Sequence, residues 1–453
     1  MNSEFAINTD RFTNKFLLLT SILYVAFFVF FYVFANDSEF GAWVPIIQFG
    51  IAVEYVLFWN VINRSSIKSS SVLVFFIFLI NSILIREAFL SNGLSMFGPD
   101  PVDALSYLNT AKATASKTLS ETFAYFGSMS ATNNEFSFDD YGMSLIARFG
   151  YILGGDDAGY SFVMLVLSAA AFSLSFFFFY KAASQVLHPY YSKIAAIIYG
   201  LCTSYQMIAV YGLKENFFML PIVISLYFAI KYIRVKKKQN LFGLLFFCAF
   251  LCLFRFAVCA QLLAAFFAAL FIVNSRHKIL MLISISLLGA VALSMADIII
   301  SFLGGSGVEN YLAYAQVHNE TSISITAQYV AQAAFAFLGQ PPLYTGEFGF
   351  NHLAVFSCII RCILTIPFLY GLIYMVRKLE RSSIFLALYW LFGTIMLIVV
   401  FRASDFRYAA MYFPAFILLS MLGFQNRNIV KHPKIISLAC LVAIVFLTIA
   451  WNM

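Results

Sequence analysis

Charged residues are scarce in this chain of 453 residues: they make up 11% of it, whereas apolar residues make up 62%. Soluble globular proteins carry about 25% charged residues, so the composition excludes an ordinary soluble domain. The mean hydropathy is +0.88, and the apolar residues are gathered in runs of about 20, a length that crosses the hydrocarbon core of a bilayer as a helix. The sequence therefore predicts an all-α, polytopic integral membrane protein.

Several motifs of soluble enzymes and metal sites are also missing. The chain has no P-loop, no GxGxxG after a strand and no HExxH, so ATP, NAD and zinc chemistry have no support and no metal site is predicted. Its seven cysteines lie in apolar runs without a CxxC pair. This pattern indicates helix packing rather than disulfides or thiolate ligands. An inverted repeat, which many transporters show, is not evident either.

The apolar runs predict 13 spanning helices. The stretch Leu241–Val273 is too long for one crossing, and basic residues flank both of its ends. By the positive-inside rule both ends are cytoplasmic, so we predict two short helices with Arg255 at the outer turn between them. The other 11 spans are predicted at residues 16–35, 42–62, 71–90, 158–180, 194–212, 216–233, 279–302, 351–376, 384–401, 408–424 and 435–452.

The formal net charge of +7 is distributed very unevenly by this topology. Of the 28 basic residues, 19 fall in the predicted inside segments, against three of the 21 acidic residues. The inside therefore carries +16 and the rest of the chain −9. We expect a multi-pass protein of the cell (inner or plasma) membrane, with a cytoplasmic N-terminus, an extracytoplasmic C-terminus and the lipid bilayer, not nucleic acid, as its partner.

Two long segments, Ser91–Asp157 and Leu303–Phe350, are predicted on the extracytoplasmic side. We expect membrane-parallel helices in both, because their apolar residues recur on one face. The cytoplasmic loops are short and basic, so function is expected outside. The predicted organisation has four parts: two spans in 1–70, a seven-span module in 71–302, the second loop in 303–350 and four spans in 351–453.

Carboxylates of the first long segment are the candidate catalytic groups. Asp100 suits a helix N-cap before Pro101, and Asp103 suits the first turn beside the helix dipole. The same geometry places Asp103 and Tyr107 one turn apart on one face, where a carboxylate could accept a proton or hold a divalent cation. Asp140, at the start of a second helical run, is either a solvated loop acid or another catalytic carboxylate.

Cations at predicted outer turns are the candidate phosphate ligands. Lys214 opposes the dipole of the helix that follows it, so either the adjacent Glu215 or a bound phosphate is expected to compensate it. Arg255 either extends to the interface or binds a phosphate or carboxylate in a bidentate manner. Arg402 either pairs with Asp405 or is a further phosphate ligand beside Lys214 and Arg255.

Arg407 and His318 complete the set of candidate site residues. Arg407 lies at the same predicted outer interface, where the positive-inside bias disfavours cations. Three such exceptions, Lys214, Arg255 and Arg407, favour an anionic ligand. His318, in the second long segment, is either structural or a general base.

This layout resembles the polytopic glycosyltransferases of the C-type (GT-C) fold, which use polyprenyl-phosphate-linked sugars. That family has a seven-span module with a long first outer loop, acidic near its start, and a second long loop after the seventh span. Here seven spans are predicted between 71 and 302, and two further spans precede them. The resemblance implies a catalytic role for Asp100 or Asp103 and carrier-phosphate binding by Arg255 and Arg407.

The chain is also similar to O-antigen and surface-polysaccharide repeat-unit polymerases, in Lys214-Glu215 and in Phe254-Arg255-Phe256. It departs from them because its second long loop has no arginine. Both resemblances imply transfer of a sugar or repeat unit from a polyprenyl-phosphate or diphosphate carrier to a glycan acceptor, with a chain-length regulator or a flippase as protein partners. No cofactor is implied, although a divalent cation stays open. The alternative is a flippase or transporter of lipid-linked glycans.

Overall fold

The structure is a computed structural model. It describes residues 50, 53–54, 57–58, 65–98, 101–132, 136, 138–294, 355–396, 409–430, 433, 435–440 and 442–443. Over these residues the chain is helical and contains no strand, apart from an isolated bridge between Ser95 and Gly98. The predicted all-α class is therefore confirmed for this part of the protein.

The described chain consists mainly of α-helices. They are α1 (Ile67–Ser91), α2 (Val102–Thr114), α3 (Leu119–Thr132), α4 (Tyr141–Gly154), α5 (Asp157–Val186), α6 (Pro189–Gly200), α7 (Thr203–Val210), α8 (Glu215–Val235), α9 (Lys238–Cys252), α10 (Phe256–Asn274), α11 (Lys278–Ser294), α12 (Val355–Lys378), α13 (Arg381–Met396) and α14 (Phe413–Gln425).

Six segments of the described chain are long and apolar enough to cross a membrane, and one of them consists of α6 and α7 together. The chain is therefore a multi-pass helical membrane protein. Four shorter apolar helices, α9, α11, α13 and α14, accompany them. The count of 13 spans includes segments outside the described residues and stays a prediction. The six segments are Ile67–Ser91, Asp157–Val186, Pro189–Val210, Glu215–Val235, Phe256–Asn274 and Ile360–Lys378.

The predicted break at Arg255 is present. Helix α9 ends at Cys252 and α10 begins at Phe256, with Arg255 in extended backbone between them. A second break was not expected: the segment predicted as one span at 194–212 is divided at Leu201 and Cys202 into α6 and α7.

The predicted long segment Ser91–Asp157 is mostly helical. Helix α2 packs on α4, and α4 packs on α5, which anchors the segment to the bundle. The Arg148 side chain on α4 fixes the end of α2, because its Nε donates to the Thr114 carbonyl at 3.0 Å. The orientation of these helices to the membrane plane stays a prediction.

Helix α8 packs on α5 and α9, while α10 packs on α13 and α12 packs on α14. Helix α1 has an exposed apolar face. Val72, Phe76, Ile80 and Leu84 recur every four residues on one face, and each is at least 40% exposed. A contiguous exposed apolar stripe of this kind is typical of a surface that contacts lipid.

An acidic residue within a predicted span has a partner. Asn81 on α1 is buried, and its Nδ2 donates to Glu54 Oε2 at 2.7 Å. A carboxyl group inside a bilayer is costly unless it is paired or hydrogen-bonded. The contact therefore gives Glu54 a structural role in joining its segment to α1.

Candidate functional site

The turn between α7 and α8 carries Lys214 and Glu215, and α2 covers it. Gly212 has a φ of +66°, and a Cβ on it would lie 2.9 Å from the Ala104 Cβ on α2. Only glycine combines this backbone conformation with so close an approach. The close packing of α2 on the turn brings Tyr107 to Lys214 and Glu215.

Asp140 lies in a buried ion pair and not in a solvated loop. It is 8% exposed and precedes the first residue of α4, yet its side chain does not cap that helix. The Tyr107 hydroxyl donates to Asp140 Oδ1 at 3.1 Å, and Lys214 Nζ donates to the same oxygen. The carboxylate thus joins α2 and the α7–α8 turn to the start of α4.

A second buried pair lies beside the first. Arg255 Nη2 is 3.4 Å from Glu215 Oε1, and the Glu215 residue is 3% exposed. The sequence left Glu215 or a phosphate as the anion that compensates Lys214. In the structure Asp140 takes that place, and Glu215 pairs with Arg255 instead.

These five residues, Tyr107, Asp140, Lys214, Glu215 and Arg255, form what we call the Asp140 cluster. It contains two cations and two buried carboxylates, so these four charges balance. Burial, followed by the charges of Asp140, Glu215 and Asp103, holds the pKa of the Tyr107 phenol well above its ordinary value of 10, while Arg255 opposes the shift. The phenol therefore stays protonated at neutral pH and acts as a hydrogen-bond donor.

Two hydrogen bonds donated by backbone amides join the start of α4 to the α9–α10 turn. The Gly142 amide donates to the Leu253 carbonyl at 2.8 Å, and Asp139 Oδ1 accepts from the Phe256 amide at 3.3 Å. A Cβ on Gly142 would lie 2.8 Å from the Phe254 ring. The start of α4 and the α9–α10 turn are therefore clamped side by side, which fixes Asp140 relative to Arg255.

No family model, curated protein or solved structure matches this chain. The chemistry of the site itself is therefore what bears on function. A carboxylate held by a protonated phenol and a lysine can accept a proton when the lysine is drawn away. Lysine and arginine at helix starts can bind an anion, because the helix dipole adds to their charge.

Two buried polar groups without hydrogen-bond partners are close in sequence to residues of the cluster. Asn216, next to Glu215 in the first turn of α8, has no exposed surface, and neither its Oδ1 nor its Nδ2 has a hydrogen-bond partner. The Ser144 Oγ, one turn beyond Asp140 on α4, is likewise buried without a partner. Each such group costs about 1–3 kcal/mol. Sequence reasoning missed both, because an isolated Asn or Ser in an apolar helix carries no motif.

A tyrosine and an amide on other helices were also missed. The Tyr412 hydroxyl, just before α14, donates to Gln261 Oε1 on α10 at 2.7 Å. Tyr412, the residue before α14, is thus joined to α10, the helix that begins directly after Arg255.

The remaining predicted site residues have different placements. Asp103 is exposed in the first turn of α2, one turn from the buried Tyr107. The predicted start of α2 was one residue early, because Pro101 is the N-cap and the helix begins at Val102. Four predicted site residues lie outside the described residues: Asp100, His318, Arg402 and Arg407. Among the described residues, no group of three His, Cys, Asp or Glu could hold a metal ion.

Proposed function

We propose that this protein is a membrane glycosyltransferase of cell-surface glycan assembly, of the O-antigen, capsule or exopolysaccharide kind. It transfers a sugar or an oligosaccharide repeat unit from a polyprenyl-phosphate or diphosphate carrier at the outer face of the membrane, and acting as a repeat-unit polymerase is one form of this activity. The observation that carries the proposal is the Asp140 cluster, which joins a buried carboxylate to two cations. The resemblance to GT-C enzymes supports the same class.

The depth of the cluster supports a lipid-borne substrate. Helix α8 has 21 residues and is therefore about 30 Å long, the thickness of the hydrocarbon core. Lys214 is at one end of it, and the basic run Lys236–Lys238 follows the other end. The positive-inside rule assigns that run to the cytoplasm. Lys214 then lies at the outer interface, at the level of a carrier phosphate.

The chemistry proceeds by direct displacement at the anomeric carbon. Asp140 accepts the proton of the acceptor hydroxyl while the acceptor oxygen bonds to that carbon. The bond between the anomeric carbon and the carrier phosphate breaks, and its electron pair leaves on the phosphate oxygen. Lys214 and Arg255 stabilise the charge that develops there. In this proposal Asp100 and Asp103 are the alternative carboxylates, and Arg402, Arg407 and His318 contact the substrate.

The glycan profile of a deletion strain tests this function. A repeat-unit polymerase predicts lipid-anchored caps of a single unit, and a single-sugar transferase predicts a full ladder that lacks one sugar. Lipid-linked units trapped inside the cell would instead indicate a flippase. An unchanged surface glycan would contradict the proposal.

A further inference from the structure

Each cation of the Asp140 cluster is already paired with a carboxylate of the chain itself. The side chains of Lys214 and Asp140 are 10% and 11% exposed, and those of Arg255 and Glu215 are 14% and 4% exposed. In such a setting, ion pairs are screened weakly and a cation without an anion is strongly unfavourable. A ligand that binds these cations must therefore replace the carboxylates, not merely join them.

We infer that Asp140 and Glu215 pair with the two cations, Lys214 and Arg255, that bind a phosphate or diphosphate group when the carrier is present. A phosphate ester displaces the carboxylates because it carries more negative charge and more acceptor oxygens than a carboxylate, and arginine can bind it with two parallel hydrogen bonds. The inference rests on the proposed function for the identity of the ligand and adds to it which groups the phosphate replaces as partners of the two cations.

The exchange also explains how the base is kept inactive. While Lys214 donates to Asp140 Oδ1, the carboxylate is stabilised as an ion and is a poor proton acceptor. When phosphate draws Lys214 away, Asp140 keeps the hydrogen bond from Tyr107, and its Oδ1 no longer accepts from Lys214. Proton acceptance is then coupled to the presence of the carrier phosphate.

The test measures binding to the purified full chain in phosphatidylcholine nanodiscs, with polyprenyl monophosphate as the titrant. Asp140→Asn and Glu215→Gln each remove a competing charge and keep the shape of the side chain. We expect each to lower the dissociation constant by about tenfold. Lys214→Met is expected to raise it by about tenfold, and Lys214→Arg to stay within about threefold of wild type.

Asp157→Asn is the matched control. Asp157 pairs with Lys112 at 2.7 Å, but both side chains are exposed, at 45% and 39%. This change also removes one negative charge, from the same segment as Asp140, yet it should leave the dissociation constant unchanged, because an exposed pair competes weakly. Equal tightening by Asp157→Asn would overturn the inference in favour of a general charge effect.

Two carboxylates in two separate pairs keep the test decisive if one variant fails to fold. The inference is overturned if the folded variants among Asp140→Asn and Glu215→Gln bind no more tightly than wild type. Tighter binding in a protein whose deletion leaves every surface glycan unchanged would support the inference and contradict the proposed transferase. A deletion that alters the glycan, without tighter binding in these variants, would support the proposed transferase and contradict the inference.

Discussion

Asp140 and Lys214 are 74 residues apart in the chain and form a buried ion pair, with the Tyr107 hydroxyl donating to the same carboxylate oxygen. The pair joins the segment before α4 to the turn that starts α8. It places a carboxylate of a long connecting segment against a cation of the helix bundle. Predictions about activity and stability follow from this contact and from its neighbours.

Tyr107→Phe keeps the ring and removes the hydrogen bond to Asp140. The loss of one such bond to a charged group should lower the free energy of unfolding by about 1.5–3 kcal/mol. Thermal unfolding in detergent at neutral pH measures this change. An unfolding temperature equal to that of wild type would contradict the contact.

The same variant has a predicted pH dependence. Because the folded protein holds the pKa of the phenol well above 10, the unfolded chain loses this proton first as the pH rises. The stability that Tyr107 contributes is thus fully present below about pH 10 and is lost above it. The difference in unfolding temperature between wild type and Tyr107→Phe should therefore be constant from pH 7 to 9 and shrink toward pH 11. A constant difference over the whole range would show an exposed phenol.

Gly142→Ala tests the clamp between α4 and the α9–α10 turn. The added Cβ would lie 2.8 Å from the Phe254 ring and 2.9 Å from the Leu253 carbonyl oxygen, so the turn must move and Arg255 with it. We expect a lower unfolding temperature, and weaker binding of polyprenyl phosphate because Arg255 is displaced. A loss of about tenfold in affinity corresponds to about 1.4 kcal/mol.

Gly127→Ala is the control for that change. Gly127 lies in α3 with nothing within 4 Å of an added Cβ. Alanine inside a helix is more stable than glycine by roughly 0.5–1 kcal/mol, so this variant should be as stable as wild type or more so, with unchanged phosphate binding. Equal effects of the two substitutions would remove the support for a clamp.

Asn81→Leu tests the structural assignment of Glu54. It removes the amide that donates to the Glu54 carboxyl group and leaves a buried polar group unsatisfied, at about 1–3 kcal/mol. We expect a lower unfolding temperature and unchanged activity per folded molecule. The companion variant Glu54→Gln should be close to wild type in stability, because an amide still accepts the bond. Lost activity in a stable Asn81→Leu protein would instead indicate a polar path through the bundle.

The sequence predicted those features that depend on local composition. The break at Arg255 followed from a 33-residue apolar stretch with basic residues at both ends, and the structure has it. The division at Leu201 and Cys202 was missed, although Gly200 lies directly before it and Thr203 and Ser204 lie directly after it. The length of the run, close to that of one crossing, favoured a single span.

The pairing of the site residues could not be predicted in the same way. Asp140 and Lys214 were both candidates, but their contact depends on how α2 packs on α4 and on the α7–α8 turn, and no local spacing encodes that. The same holds for Gln261 and Tyr412, which meet across 151 residues. Asp103 shows the opposite case: its one-turn spacing to Tyr107 is real, yet it is exposed while Tyr107 is buried.

The most direct test of the proposed active site is the surface glycan of a strain whose chromosomal copy carries Asp140→Asn. A lost general base lowers the rate by about 10²–10⁴-fold, so the account predicts the same glycan defect as the deletion, with the protein present in the membrane at the wild-type level. The same strain carrying Asp157→Asn should make the normal glycan. A normal glycan from Asp140→Asn, at equal protein level, would contradict the account.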